Sequence, residues 1–298
     1  MGKYRNVDKE LIELAALRKT GKQISSILNM DYSTVHKKLR RLGISLPNYH
    51  NQLKFDNTVF DTIDTEEKAY WLGFLYADGY VSSNKNVVEL SLKASDKDHI
   101  EKFRKFLKCT EELTVKVMKS TCKGKEFERA RLCLYNNHFW ESLVKLGCVP
   151  NKSLVLQFPS LSIFSKEDLV IPFIRGYIDG DGCLYSTRTG RLAIQVIGTS
   201  EFLDGILEIF PQLNSKKKKD SRHPTSNTYY ISCTCNKADS IANILYNNAI
   251  VYLDRKYERY KRFAVPIEKS LELLGNNIGE GCDANTEITK EIKESLVS

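Results

Sequence analysis

Two stretches of this 298-residue chain end in the same pattern: glycine, three free positions, alanine or glycine, aspartate, glycine. The first is Trp71-Leu72-Gly73-Phe74-Leu75-Tyr76-Ala77-Asp78-Gly79 and the second is Ile174-Arg175-Gly176-Tyr177-Ile178-Asp179-Gly180-Asp181-Gly182, 103 residues further on. Average residue usage gives odds on the order of one in ten thousand for two chance copies. Each stretch closes a segment that reads as a helix. Gly73 and Gly176 therefore stand inside helices, where glycine costs ~1 kcal/mol relative to alanine. A close backbone approach to another helix would offset that cost. Gly79 and Gly182 stand where a left-handed residue ends a helix. That leaves Asp78 and Asp181 at helix C-termini, where the macrodipole repels an anion. Two such carboxylates on helices packed side by side call for a divalent cation. Mg2+ favours a sparse carboxylate site of this kind, completed by water and phosphate.

The duplication extends beyond the motif. The first copy reads as a helix at 66–78, strands at 80–83 and 87–94, a helix at 97–107, strands near 112–118 and 127–135, and a helix at 138–146. Shifted by 103, the order recurs: helix 168–181, strands 183–186 and 191–197, helix 201–210, strands near 213–219 and 228–235, then helices at 237–247 and 253–263. Each half is αββαββα, and residues 153–167, with Pro159, connect them. Ahead of the repeat, helices are expected at 9–20 (capped by Asp8 and ended by Gly21), 23–28 and 34–42 (capped by Ser33), with an apolar face on the last at Val35, Leu39 and Leu42. A polar stretch around Pro47 reads as a linker.

Charge is distributed unevenly. Lys and Arg total 45 against 37 Asp and Glu, net +8. Residues 1–50 carry ten basic and four acidic residues, residues 265–298 three and seven, leaving +6 on the body between them. A basic body with an acidic tail suggests a polyanionic partner. The opening MGKYRNVDKE has no apolar signal core, and no run reaches the ~18 apolar residues of a membrane span, so an intracellular soluble protein is expected. The eight cysteines include no C-x-x-C pair, and Cys233-x-Cys235 has the wrong spacing for zinc, so reduced thiols, mostly buried, are expected.

The paired motif resembles the signature of the LAGLIDADG homing endonucleases, and the whole of about 60–264 is similar to that family. The resemblance implies an α+β fold of two pseudo-symmetric αββαββα halves, 60–152 and 165–264. They are joined by the motif helices, and two antiparallel sheets form a DNA-binding saddle. It implies metal-dependent hydrolysis of one phosphodiester on each strand. It also implies metal binding by Asp78 and Asp181 with the carbonyls of Ala77 and Gly180, using Mg2+ with Mn2+ as a substitute. A basic residue near each active site maps to Lys152 and Lys256, 104 apart, as activators of water or stabilisers of transition-state charge. Polar residues near the metals map to Asp96 and Gly198; since Gly198 has no side chain, the two sites are expected to differ. Arg175 stands where a small apolar residue is usual. The alternative on this scaffold is a binding protein that does not cut, either a transcription regulator or an intron RNA maturase.

Residues 9–44 resemble a helix-turn-helix, giving a small all-α DNA-binding domain at 1–50 ahead of the two halves, with a flexible acidic tail at 265–298. On its last helix Ser33, Thr34 and Lys37 are placed to meet bases, and Lys38, Arg40 and Arg41 to meet phosphates. On the body, Lys116, Lys119, Lys123 and Lys125 in the first half correspond to Lys216, Lys217, Lys218, Lys219 and Arg222 in the second, and are expected to contact phosphate. The expected partner is double-stranded DNA with a long asymmetric target, bound by a monomer.

Overall fold

The structure, a computed structural model, describes residues 7–17, 19, 21–44, 54–83, 86–111, 113–122, 125–213, 216–220 and 227–264. The expected linker at Pro47, Lys123, Arg222 and the acidic tail lie outside these residues, as does the side chain of Lys125. The chain divides into two compact units, Met1–Lys54 and Phe55–Ser298.

The first unit holds α1 (Val7–Ala16), α2 (Gly21–Leu28) and α3 (Tyr32–Arg41). Leu11, Ile24, Leu28, Val35 and Leu39, one or two per helix, close on each other as a small core. The expected caps shift. Asp31, not Ser33, caps α3, accepting from the Ser33 N–H at 2.8 Å, and α3 starts at Tyr32. Asp8 lies inside the first turn of α1, and Gly21 opens α2 instead of ending α1.

The second unit runs α4 (Glu66–Asp78), β1 (Gly79–Val81), β2 (Val87–Lys93), α5 (Lys97–Phe106), β3 (Lys116–Cys122), β4 (Lys125–Tyr135) and α6 (Asn137–Lys145). A short α7 (Lys152–Val155) leads to the second copy: α8 (Val170–Asp181), β5 (Gly182–Ser186), β6 (Leu192–Gly198), α9 (Ser200–Ile209), β7 (Lys218–Lys219), β8 (Tyr229–Thr234), α10 (Cys235–Tyr246) and α11 (Asp254–Phe263). Each copy builds a four-stranded antiparallel sheet, in orders β1-β2-β4-β3 and β5-β6-β8-β7. The architecture is therefore α+β with two equivalent halves, as the repeat required. Two strands depart from expectation. β3 begins at Lys116 because a turn from Thr110 to Leu113 takes up the chain leaving α5. β7 shrinks to two residues because Lys217 bonds to Asp204 on α9 at 2.6 Å, away from the sheet edge.

The motif helices α4 and α8 form the seam of one continuous core. Thr65 caps α4, accepting from the Lys68 N–H, and Glu66 and Glu67 favour its positive end. Every residue from Ala69 to Ala77 is buried, as are Pro172 to Asp179, so neither helix has a solvent stripe. The entering segments are tied as well: Ile63 bridges Phe164 in parallel, and the Ser165 N–H donates to the Ile63 carbonyl at 2.9 Å.

The mid-helix glycines lie at the crossing. A Cβ on Gly73 would overlap the backbone carbonyl of Phe173, and one on Gly176 would overlap that of Tyr70. Gly79 and Gly182 are not left-handed as expected; their φ, ψ of −69°, 140° and −89°, 170° are extended, because the chain runs straight from helix into strand. Glycine is still required there, since a Cβ would press on the carbonyl of Leu75 or Ile178.

Gly73→Ala or Gly176→Ala should be destabilising, although alanine is the better helix former by ~1 kcal/mol. Overpacking against a backbone carbonyl costs about 1–3 kcal/mol or more. Thermal unfolding should show a lowered midpoint; an unchanged or raised one would mean that the helices do not touch there.

Candidate active site

Because α4 and α8 cross so closely, their C-termini deliver Asp78 and Asp181 to the same place. A Cβ on Gly180 would touch the Ala77 methyl and come within 3.2 Å of Asp78 Oδ2. Neither carboxylate accepts a hydrogen bond from a described residue. Asp78 is half-buried and Asp181 reaches the surface, yet both carboxyls stand in dense protein. Burial, then repulsion from Asp181, raises Asp78 to about 6 against the pull of Lys152 and Lys256. Burial likewise raises Asp181 above the usual carboxylate range. Among the described residues no three His, Cys, Asp or Glu side chains cluster. A cation held here would rest on this pair, with its remaining ligands from backbone carbonyls, water or phosphate.

The structure brings both expected lysines to this place. Lys152 opens α7, and its ammonium donates to the carbonyls of Leu75 at 2.7 Å and Ala77 at 2.6 Å. Lys256, in the first turn of α11, is 2% exposed and donates to Ile178, and to Asp179 and Gly182 at 2.7 Å each. Each lysine thus caps one motif helix with a positive charge, on the free carbonyl of Ala77 or Asp179 and on that of Leu75 or Ile178, which also accepts the Gly79 or Gly182 N–H. Burial lowers both ammonium pKa values, that of Lys256 to about 8. Of the two carbonyls expected beside a metal, Ala77 is engaged by Lys152, whereas Lys256 bonds to the neighbours of Gly180.

The surroundings are unequal, as the Asp96–Gly198 difference implied. Asp96 accepts from Arg255 Nε at 3.1 Å, while Gly198 offers only backbone, with the Tyr177 hydroxyl beside it donating to Ile197 at 2.8 Å. Arg175 is buried and does reach the partner helix. It donates to the carbonyls of Val251 at 3.0 Å and Leu245 at 2.7 Å and pairs with Glu66 at the start of α4. The motif pattern did not announce Asp179. It is 0% exposed and accepts from Tyr70 Oη at 2.7 Å, Tyr246 Oη at 2.7 Å and the Leu253 N–H at 2.8 Å. The repeat aligns Asp181 with Asp78 and leaves Asp179 at a free motif position, opposite Tyr76; only the packing shows that Asp179 points inward.

The basic residues of the body do not form two uniform runs. In the first sheet, Val88, Leu90 and Leu92 face the helices, so the register places Lys116 and Met118 on the open face, opposite Arg131 and Arg129. Lys119, opposite Glu128, points to the other side. In the second sheet Lys218 shares the open face with Tyr230, and Lys219 points to the other side with Tyr229. Lys217 is committed to Asp204 and Ser200, and Lys216 is exposed. The open face also carries Lys93, Arg129 and Arg131, which a search for lysine runs overlooks. The period-two alternation Arg129-Ala130-Arg131-Leu132 was the available signal. In the first unit, Ser33, Thr34, Lys37 and Arg40 are exposed on α3, while Lys38 and Arg41 are bound to Asp8 of α1 at 3.3 and 2.8 Å. Among the described residues no helix is long and apolar enough to cross a membrane. Cys109, Cys133, Cys148, Cys183, Cys233 and Cys235 are free thiols; Cys148 and Cys233 are buried and Cys183 is exposed.

No family model matches the chain. An uncharacterized protein of Methanocaldococcus jannaschii is 23% identical over 180 residues, which are 59% of this chain and 64% of that protein's length. Among solved structures, the homing endonuclease I-WcaI bound to its DNA recognition sequence is similar at a TM-score of 0.47 and 14% identity, covering 68% of this chain and 89% of that one. Full-length DUF199/WhiA from Thermatoga maritima gives 0.38 and 14%, covering 74% and 70%. I-DmoI in complex with DNA and Ca gives 0.39 and 14%, covering 74% and 99%.

A carboxyl whose pKa is higher in the folded chain than in the unfolded one stabilises the fold below the unfolded value of 3.8 and loses that contribution as pH rises through about 6. Without metal, the wild type should therefore lose stability between pH 4 and 7 relative to Asp78→Asn. By pH 7 the wild type should have lost on the order of 3 kcal/mol relative to the variant, because burial and the Asp181 charge penalise only the ionised carboxylate. Parallel pH profiles in thermal unfolding would contradict the placement of Asp78.

Proposed function

We propose that this chain is a site-specific DNA endonuclease that cuts both strands with a divalent metal. The observation that carries the reading is the convergence of Asp78 and Asp181, two carboxylates without hydrogen-bond donors, at the C-termini of paired helices. Such a pair suits a hard divalent cation, Mg2+ with Mn2+ as a substitute. Asp78 and Asp181 would hold it, with the carbonyls of Ala77 and Gly180 alongside. When bound, the metal would acidify a water nucleophile and neutralise phosphate charge.

The chain's own residues do the rest. Lys152 and Lys256 fix the last turns of α4 and α8, and so the direction of both carboxylates. Their ammonium groups keep positive charge beside the place where a phosphate would gain negative charge. The open sheet faces supply Lys93, Lys116, Arg129 and Lys218 for phosphate contacts, with Tyr230 beside Lys218, while Arg131 acts first on Glu89. Ser33, Thr34 and Lys37 on α3 suit base edges, and Arg40 suits a phosphate; Lys38 and Arg41 act first on Asp8. Two motif helices within one chain complete the site, so the protein would act as a monomer on an asymmetric double-stranded target.

Incubating the protein with a random-sequence duplex library and Mg2+, then sequencing the ends, should recover one long asymmetric site. Asp78→Asn and Asp181→Asn should each lower double-strand cleavage by orders of magnitude and leave binding of that site intact. Unimpaired cutting by both variants would refute the assignment. Specific binding with no cutting by the wild type would make the chain a DNA-binding regulator instead.

Deleting residues 1–50 should weaken binding and reduce its salt dependence, because ten basic residues leave with them. Cutting at saturating protein should persist. Its loss from a stably folded truncation would place chemistry in the first unit.

A further inference from the structure

We infer that Asp179 is the positioning residue for Lys256, and that it acts on one half of the site only. The inference rests on the endonuclease reading. The Asp179 carboxylate is completely buried and has three donors, Tyr70 Oη from α4, Tyr246 Oη from α10 and the Leu253 N–H. Leu253 is the residue from which α11 departs, and Lys256 lies in that helix's first turn. The side chain of Asp179 therefore holds the backbone at the start of α11. Its main-chain carbonyl, at 2.7 Å, receives the Lys256 ammonium. One residue thus fixes both where the lysine's helix begins and where its charge ends.

Other contacts at the start of α11 are weaker anchors. Lys102–Asp254 and Arg255–Asp96 bridge to the first half at 2.6 and 3.1 Å, but Lys102, Asp254 and Arg255 are open to water, and only Asp96 is mostly covered. The Asp179–Leu253 bond is buried, like the Arg175–Val251 bond two residues earlier, but it alone of these holds the residue from which α11 departs, and losing it strands a buried N–H.

The first half has no counterpart. At the 103-residue spacing Asp179 corresponds to Tyr76, Tyr246 to Leu143 and Tyr70 to Phe173. Tyr76 donates to the Leu146 carbonyl and packs against Phe173, with ring centroids 5.0 Å apart. Among the described residues no carboxylate bonds to the segment that leads to Lys152. Removing Asp179 should therefore loosen one lysine and leave the other in place.

The test uses full-length Asp179→Ala and Asp179→Asn. Asn can keep an oxygen toward Leu253 and Tyr70 and donate its amide to the Tyr246 hydroxyl, so it should restore function. If the Ala variant does not fold, the combination Tyr70→Phe, Asp179→Leu, Tyr246→Phe removes both hydroxyls with the carboxylate, so that only the Leu253 N–H and His99 Nε2 lose a partner. Two readouts are taken. Without DNA or metal, hydrogen exchange should rise at residues 250–256 and stay unchanged at 146–152. On the duplex recovered from the random library, with each strand labelled by a different dye, one strand should be cut about 10- to 100-fold more slowly, the range for outer-sphere positioning groups. It should be the strand slowed by Lys256→Ala, not the one slowed by Lys152→Ala, and nicked duplex should accumulate. Equal slowing of both strands, or unchanged exchange at 250–256, would overturn the inference. If the wild type cuts neither strand, the endonuclease reading fails, and exchange alone decides whether Asp179 holds α11.

Discussion

Everything distinctive about the second unit depends on the contact between two helix backbones. At Gly73 and Gly176 each helix places a glycine against a carbonyl of the other, Phe173 or Tyr70. Side chains at those positions would push the helices apart, and the helix ends with them. Since Asp78 and Asp181 sit five residues beyond the glycines, their separation follows from this crossing. The close approach also explains why both helices are apolar on every side: one face meets the partner helix and the others meet the sheets and helices of both halves.

Close packing creates an electrostatic problem that the chain resolves only in part. Two carboxylates meet at the negative ends of two dipoles, and burial discourages their ionisation. Lys152 and Lys256 answer at one remove, by saturating the carbonyls at those same helix ends rather than by pairing with the carboxylates. The helix termini are thereby satisfied while the carboxylate oxygens are left without donors. That division is what makes the pair suited to a cation: the surroundings supply charge balance without occupying its ligands.

The motif helices, the two halves and the lysines were legible because each leaves a mark in one dimension. Internal glycine, a terminal Asp-Gly and a constant spacing survive projection onto sequence. Which lysines share a sheet face was less legible, since a one-residue change in register reverses the answer; Lys116 and Lys119 show it. The extended Gly79 and Gly182 were misjudged because a left-handed end and a close carbonyl contact both ask for glycine. Asp31 displaced Ser33 as a cap because two polar residues, two positions apart, competed for one helix start. Asp179 was invisible as a structural group because its three donors come from residues 67 to 109 positions away.

The central claim is that Asp78 and Asp181 together form a divalent-cation site. Crystals of the metal-free protein soaked in Mn2+ and measured near the manganese absorption edge test it most directly. The account predicts an anomalous peak between these two carboxylates, absent when both are changed to Asn. Manganese bound only elsewhere, or equally by the double variant, would contradict it.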